Sequence, residues 1–133
     1  MDASSPATLG FPRERRIKQG RDFNRAKVEG RRLVQGCLIL NWISIAPSSP
    51  SRLGVITSRK IGHAAVRSRA RRLMREAFRL HQGDLAKSVD LVLVARASIV
   101  GKHYSGVERD YLDALKKARL YREVTGAPSS TTL

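Results

Sequence analysis

The chain has 133 residues, and its 26 Lys and Arg against 11 Asp and Glu give a formal net charge of +15 at pH 7. The length predicts one domain with a real core, and the charge is typical of proteins that bind nucleic acid. An acidic membrane is the competing partner, but the sequence has neither a long apolar span nor a basic helix with an aromatic-rich opposite face. Cys37 is the single cysteine, and the N-terminus does not read as a secretory signal, so we expect a reducing cytoplasm.

Composition divides the chain into one folded domain and two tails. Residues 1–12 and 123–133 are rich in Ser, Thr, Pro, Gly and Ala, and such segments bury too little apolar surface to order themselves. We therefore predict flexible tails on either side of a folded domain that covers residues 13–122.

The first half of the domain predicts one helix and two strands. Residues 21–27 suit a short helix that Gly30 ends, and residues 37–46 form an apolar run that ends in a Pro-Ser-Ser-Pro loop. Residues 52–58 suit a second strand. Because only that loop separates the two strands, we predict that they pair as a hairpin.

The segment 58–79 is the most informative part of the chain, because it sets eight Lys and Arg against Glu76 alone. A helix that starts near Ala64 has an apolar stripe on one side and a stripe of arginines on another. Arginines at i+4 spacing repel one another unless an anion arrives, and the planar guanidinium suits phosphate oxygens. The predicted core stripe is Val66, Ala70, Leu73, Met74, Ala77 and Leu80, and the basic stripe is Arg67, Arg71 and Arg75.

The second half predicts a buried strand and a last helix. Residues 89–95 are almost continuously apolar, which is typical of a strand covered on both faces. The last helix has an apolar face on which the predicted core residues are Tyr104, Val107, Tyr111, Leu115 and Ala118. The order α-β-β-α-β-α predicts an α+β fold, a single-domain α/β sandwich with a small mixed sheet packed by helices.

Catalytic and metal-binding patterns are missing from the sequence. The three histidines are far apart and one cysteine gives no zinc-ligand spacing, so we predict no metal site and no catalytic residue in this chain. Glu76 is expected to pair with Arg72 or Arg79. Asp110 and Asp113, one helical turn apart, are expected to form ordinary surface pairs with Lys116 and Lys117.

Residues 60–75, KIGHAAVRSRARRLMR, resemble the signature of the bacterial ribonuclease P protein family, approximately Lys-x-Gly-x-Ala-Val-x-Arg-Asn-x-x-Lys-Arg-x-x-Arg. Further landmarks match in order: Asp22-Phe23, the strand at residues 38–45, Leu53-Gly54-Val55, and residues 92–96. The resemblance covers about residues 13–120. It implies a ribosomal-protein-like fold with an unusual left-handed βαβ crossover.

The resemblance implies the protein subunit of an endoribonuclease, in which a catalytic RNA removes the 5′ leader of precursor tRNA. The protein itself would bind no cofactor, whereas Mg²⁺ would be held in the ribonucleoprotein; the RNA subunit and precursor tRNA would be the partners, with no membrane and no protein partner required. Residues implied to bind the RNA subunit are Arg59, Lys60, Arg67, Ser68, Arg69, Arg71, Arg72 and Arg75. Residues implied to bind the leader are Arg16, Lys18, Phe23, Lys27, Ile39 and Asn41.

Three positions depart from the family pattern. Ser68 replaces the central Asn of the motif, Lys27 replaces a second aromatic, and Asn41 replaces a tyrosine of the cleft strand. Base stacking is therefore expected to be thinner here, and backbone charge to carry more of the leader binding. Trp42 is expected in the core, because strand alternation turns it away from the cleft.

Three other functions fit parts of the sequence. A ribosomal or general RNA-binding protein fits the charge and size equally well, but not the ordered motif with its landmarks. A helix-turn-helix DNA-binding protein would need a preceding helix at the right spacing, which is missing. A nuclease that acts without RNA would need a constellation of carboxylates or histidines, which is missing as well.

Overall fold

Three helices and four strands follow one another in the order α-β-β-β-α-β-α in the computed structural model, which describes residues 15–17 and 20–122. The tails predicted at residues 1–12 and 123–133 lie outside the described residues. The elements are α1 (Gly20–Val28), β1 (Arg31–Gln35), β2 (Leu38–Ser44), β3 (Arg52–Ile56), α2 (Ala64–His81), β4 (Val89–Ala95) and α3 (Tyr104–Lys117).

The four strands form one mixed sheet in the order β1-β2-β4-β3. The predicted hairpin of β2 and β3 is wrong, because β4 lies between them, antiparallel to β2 and parallel to β3. Apart from Asp90, β4 is apolar along its length, and the centre of the sheet is the position that covers it on both edges and both faces. The parallel connection from β3 through α2 to β4 is present, and its left-handedness stays a prediction of the family resemblance.

Strand β1 is missing from the predicted element order. It begins with Arg31 and Arg32, and its sequence lacks the apolar alternation of a core strand. Its side chains are accordingly exposed or half-buried. It is an edge strand that pairs with β2 alone and forms the actual hairpin of the sheet. Gly36 makes the turn at φ +54°, where a Cβ would overlap the carboxylate of Asp110.

The main core lies between one face of the sheet and the helices α2 and α3. Leu38, Leu40 and Trp42 of β2 point into it, which confirms the prediction for Trp42. Leu80 is 38% exposed and was wrongly placed in the core, because it lies at the margin of the helix stripe in the last turn. The buried residues of α2 are Ala70, Leu73, Met74, Ala77 and Phe78, and the predicted core face of α3 is confirmed at Val107, Tyr111 and Leu115.

A smaller core lies on the opposite face of the sheet, under α1. Its buried members are Ile17, Ala26 and Val92. The half-buried side chains of Phe23, Ile43, Ile56 and Val94 pack against them. Because α1 is only nine residues long, it covers this face partially, and apolar side chains remain within reach of a ligand beside it.

Candidate nucleic-acid interface

The entry to α2 is a tight turn that the sequence prepares. Arg59 and Lys60 are exposed on a short 3-10 turn, and Gly62 follows at φ +148°. A Cβ on Gly62 would crowd the side chain of Val66 at about 3.0 Å, so glycine is needed both for its backbone angle and for space. The helix begins at Ala64, as predicted.

Hydrogen bonds to neighbouring loops orient the guanidinium groups of Arg67 and Arg71. Arg67 donates from Nη1 to the carbonyl oxygen of Gly62 at 2.9 Å. Arg71 donates from Nη1 to Thr57 Oγ1 at 2.8 Å and from Nη2 to Ser68 Oγ at 3.2 Å. A guanidinium has five N–H donors, so each of these side chains keeps donors for an anion. Ser68, expected to touch RNA, thus also positions Arg71.

Arg75 extends this row toward the N-terminal segment. Desolvation, then the positive charges of Arg16 and Arg71, lower the pKa of Arg75. Such a concentration of like charge is unfavourable by itself and becomes favourable when phosphates bind. We call Arg67, Arg71 and Arg75 the arginine flank.

Arg69 and Arg72 lie outside the arginine flank. Arg69 turns to the other side of α2, where its Nη2 donates to the carbonyl oxygen of Lys102 at 2.7 Å. Arg72 is exposed between the two sides. Of the two predicted partners of Glu76, the structure shows Arg79, at 2.6 Å. The predicted RNA-binding residues of α2 are therefore distributed around the helix rather than gathered on one line.

Phe23 of α1 lies against Gly54 of β3. A Cβ at position 54 would overlap the Phe23 ring, so the absent side chain makes the seat for the aromatic residue. The sheet register places Ile39 beside Val94, on the face that α1 partly covers, and both are half-buried. Phe23, Ile39, Ile56 and Val94 give this face an apolar floor, which we call the sheet cleft.

An ion-pair cluster fixes α1 over the sheet. Arg52 of β3 donates from Nε to Asp90 Oδ1 at 2.9 Å and from Nη2 to Asp90 Oδ2 at 2.6 Å. The same Nη2 lies 3.6 Å from Asp22 of α1, the residue before Phe23. These contacts hold the start of α1 in place, and with it the Phe23 ring.

The other residues expected at the leader differ in their surroundings. Arg16 and Lys27 are exposed, and Arg16 lies at the β3 edge of the sheet through a bridge to Leu53. Asn41 is only 3% exposed, so its side chain offers almost no surface to a ligand. Lys18 lies outside the described residues.

Sequence reasoning missed Thr57, Gly54 and Arg52 as parts of this surface. The signal for Gly54 was present, since an isolated glycine within a strand indicates close approach of another group. Thr57 and Arg52 gave no such signal. Their partners, Arg71 and Asp90, are distant in sequence and become neighbours only when the sheet forms.

Several acidic side chains and His81 serve as structural partners within the described residues. His81 lies between Asp84 and Glu108, with 2.7 Å from Nδ1 to Asp84 Oδ2 and from Nε2 to Glu108 Oε2. Asp110, expected on the surface, is buried and accepts the backbone N–H of Cys37 at 3.0 Å. Across residues 15–17 and 20–122, no three such side chains form a metal-ligand group. No helix in this part of the chain has the length and apolar character to cross a membrane.

Comparisons with known proteins identify the family. The family model described as Ribonuclease P matches residues 11–119. This chain belongs to the ribonuclease P protein family. It is 38% identical over 106 residues to the ribonuclease P protein component of Syntrophomonas wolfei, covering 80% of this chain and 88% of the relative. It is 34% identical to that of Clostridium acetobutylicum, with 81% and 92% covered.

Solved structures of ribonuclease P proteins share the fold. The protein from Thermotoga maritima is 28% identical with a TM-score of 0.69, covering 77% of this chain and 96% of that one. The Staphylococcus aureus protein matches with a TM-score of 0.74 at 24% identity, covering 81% and 98%. The chain is thus a protein component of ribonuclease P, a ribonucleoprotein endoribonuclease of tRNA processing, and the general RNA-binding alternative is not favoured.

Proposed function

We propose that the arginine flank binds the ribonuclease P RNA while the sheet cleft holds the single-stranded 5′ leader of precursor tRNA. The hydrogen bond from Arg71 to Thr57 carries this proposal, because Thr57 directly follows Ile56 of the cleft floor. The two surfaces therefore meet at one edge, and one protein can touch the catalytic RNA and its substrate together.

The two surfaces suit different parts of the nucleic acid. Guanidinium groups held by Gly62, Thr57 and Ser68 present N–H donors to phosphate oxygens, with part of their rotational freedom already lost. The sheet cleft offers the Phe23 ring and aliphatic side chains, which tolerate any base sequence. With Asn41 buried, the ring of Phe23 and the charges of Arg16 and Lys27 would do most of the leader binding.

The chain contributes binding and orientation rather than reacting groups. Magnesium prefers oxygen ligands, whereas the arginine flank presents N–H donors and positive charge, so these residues do not fit a magnesium ion. In the proposed assembly, the RNA subunit holds the Mg²⁺ that hydrolysis of the phosphodiester requires. The proposal places the complex in the cytoplasm and needs no second protein.

Precursor-tRNA cleavage at low magnesium tests the proposal. The protein alone, the cognate ribonuclease P RNA alone, and both together are compared, with cleavage mapped at the mature 5′ end. We expect efficient cleavage only when the protein and the RNA are both present. Cleavage by the protein alone would contradict the assignment of chemistry to RNA, and no gain over the RNA alone would contradict the role as its cofactor.

A further inference from the structure

A second basic site lies at the end of the sheet, away from the sheet cleft. It is an open pocket of about 610 Å³ between the β2–β3 loop and the segment that leads into β4. Arg15, Ser44, Ser49, Lys87 and Ser88 are among its lining residues, and no described lining residue is acidic. We call it the end pocket.

Arg15 lies at the wall of the end pocket, and a hydrogen bond to the loop engages one of its N–H groups. Its Nε donates to the carbonyl oxygen of Ser51 at 2.8 Å, which leaves the two Nη groups for another acceptor. Burial lowers the pKa of Arg15, and no described carboxylate offsets that desolvation. A half-buried guanidinium without an acid gains from an anionic ligand.

Hydrogen bonds among the surrounding loops keep the end pocket open. The Ser51 hydroxyl accepts the backbone N–H of Val89 at 3.0 Å, and Ser51 itself is only 7% exposed. Ser88 donates from Oγ to the carbonyl oxygen of Pro47 at 3.2 Å, and its own carbonyl oxygen accepts the N–H of Ile45 at 3.1 Å. The pocket is thus formed by the folded domain before any ligand arrives.

We propose that the end pocket binds a phosphate group of the backbone of the ribonuclease P RNA, through Arg15 and Lys87 with the Ser49 hydroxyl as a further donor. Two cations and hydroxyl donors, with no acid among the described lining residues, match a phosphodiester, whose non-bridging oxygens accept several hydrogen bonds. The inference rests on the proposed binding of that RNA.

The arginine flank and the end pocket are connected. The charge of Arg16 contributes to the lowered pKa of Arg75, at the end of the flank. Arg16 adjoins Arg15 in the chain. An RNA strand that binds both Arg75 and the end pocket would therefore pass close to Arg16. We infer that the RNA footprint extends beyond α2 to the end of the sheet.

Salt-dependent binding of the cognate RNA tests the inference. The variant Arg15→Ala plus Lys87→Ala is compared with Arg109→Ala plus Lys117→Ala, which removes the same charge from exposed positions of α3. We expect the first pair to weaken binding several-fold and to reduce the slope of log affinity against log salt by about 1, the loss of one phosphate contact. Equal affinity and slope for the two pairs would overturn the inference.

A tethered probe covers the case in which loss of Arg15 disturbs the N-terminal segment. Cys37 is fully buried, so an iron chelate reacts at the new thiol of Ser48→Cys, an exposed position of the β2–β3 loop that is not among the lining residues of the end pocket. Hydroxyl radicals from it should cleave the RNA subunit, whereas cleavage confined to the leader, or none, would overturn the assignment. The unmodified protein is the reference throughout. If it fails to bind the RNA, the proposed function fails; if it binds and only these results are negative, this inference alone fails.

Discussion

Arg52 and Asp90 are directly opposite each other on the parallel strands β3 and β4 and form a two-bond ion pair, at 2.9 and 2.6 Å. The Asp90 side chain is 3% exposed, whereas that of Arg52 is 31% exposed. The hydrogen bonds to Asp90 are the main reason that the pKa of Arg52 is raised. Because Asp22 lies on the same guanidinium, this pair links the sheet to α1.

Replacing Arg52 by Ala should lower the free energy of unfolding by roughly 2 to 3 kcal/mol, because it leaves the buried Asp90 carboxylate without its partner. Asp22→Asn is the control, since it removes only the 3.6 Å contact of a partly exposed residue, and it should cost less than about 1 kcal/mol. Urea unfolding measures both. Equal losses would show that the Arg52–Asp90 pair adds nothing beyond the surface contact.

Replacing Arg71 and Arg75 together by Ala should reduce affinity for the RNA subunit and reduce the salt slope of binding by about 2. For each phosphate contact that is lost, about one counterion fewer is released on binding. Filter binding over a range of salt concentrations measures the slope, with Arg109→Ala plus Lys117→Ala as the charge-matched control. Unchanged slopes would remove the arginine flank from the interface.

Replacing Phe23 by Leu should raise KM for leader-bearing precursor tRNA several-fold and leave RNA-subunit affinity nearly unchanged. Leucine keeps much of the apolar volume against Gly54 but removes the ring on which a base stacks. A substrate without a leader is the control and should respond little. Parallel losses in substrate and RNA-subunit binding would show that Phe23 serves the fold alone.

His81 should make stability decline as the pH rises above about 6.5, the pKa of an unperturbed histidine. Burial opposes protonation, but the hydrogen bonds with Glu108 and Asp84 outweigh it and raise the pKa of His81. A raised folded-state pKa gives stability that is complete below the unfolded pKa, about 6.5, and is lost as the pH passes the folded value. Urea unfolding between pH 5.5 and 8.5 measures this decline. His81→Gln should flatten it, and an unchanged pH profile would contradict the assignment.

Cys37 should resist thiol reagents in the folded protein. Burial, followed by the hydrogen bond and charge of Asp110, raises the pKa of the Cys37 thiol to about 12, and the side chain is fully buried. Thiolate is the reactive form, so modification should require unfolding. Labelling by a disulfide reagent with and without urea measures this, with Ser48→Cys as the exposed comparison. Rapid labelling of native wild-type protein would contradict the burial of Cys37.

The sequence by itself determined the helices and the position of the arginine flank. The start of α2, its arginine flank and the inward direction of Trp42 follow from spacing of 3.6 or 2 residues, because such periodicity sets which face of an element is apolar. The burial of β4 follows from its almost continuous apolar run. The landmark Asp22-Phe23 and the motif helix also sufficed to indicate the family.

Only the tertiary structure decided how the strands pair and which polar groups meet. β1 is too polar for its sequence to predict a strand, and β4 enters between β2 and β3 although it is distant from both in the chain. The burial of Asp110 and the junction of Arg71 with Thr57 depend on that pairing. Local periodicity reports which face of an element is apolar, whereas pairing and polar contacts depend on neighbours that chain folding brings together from distant positions.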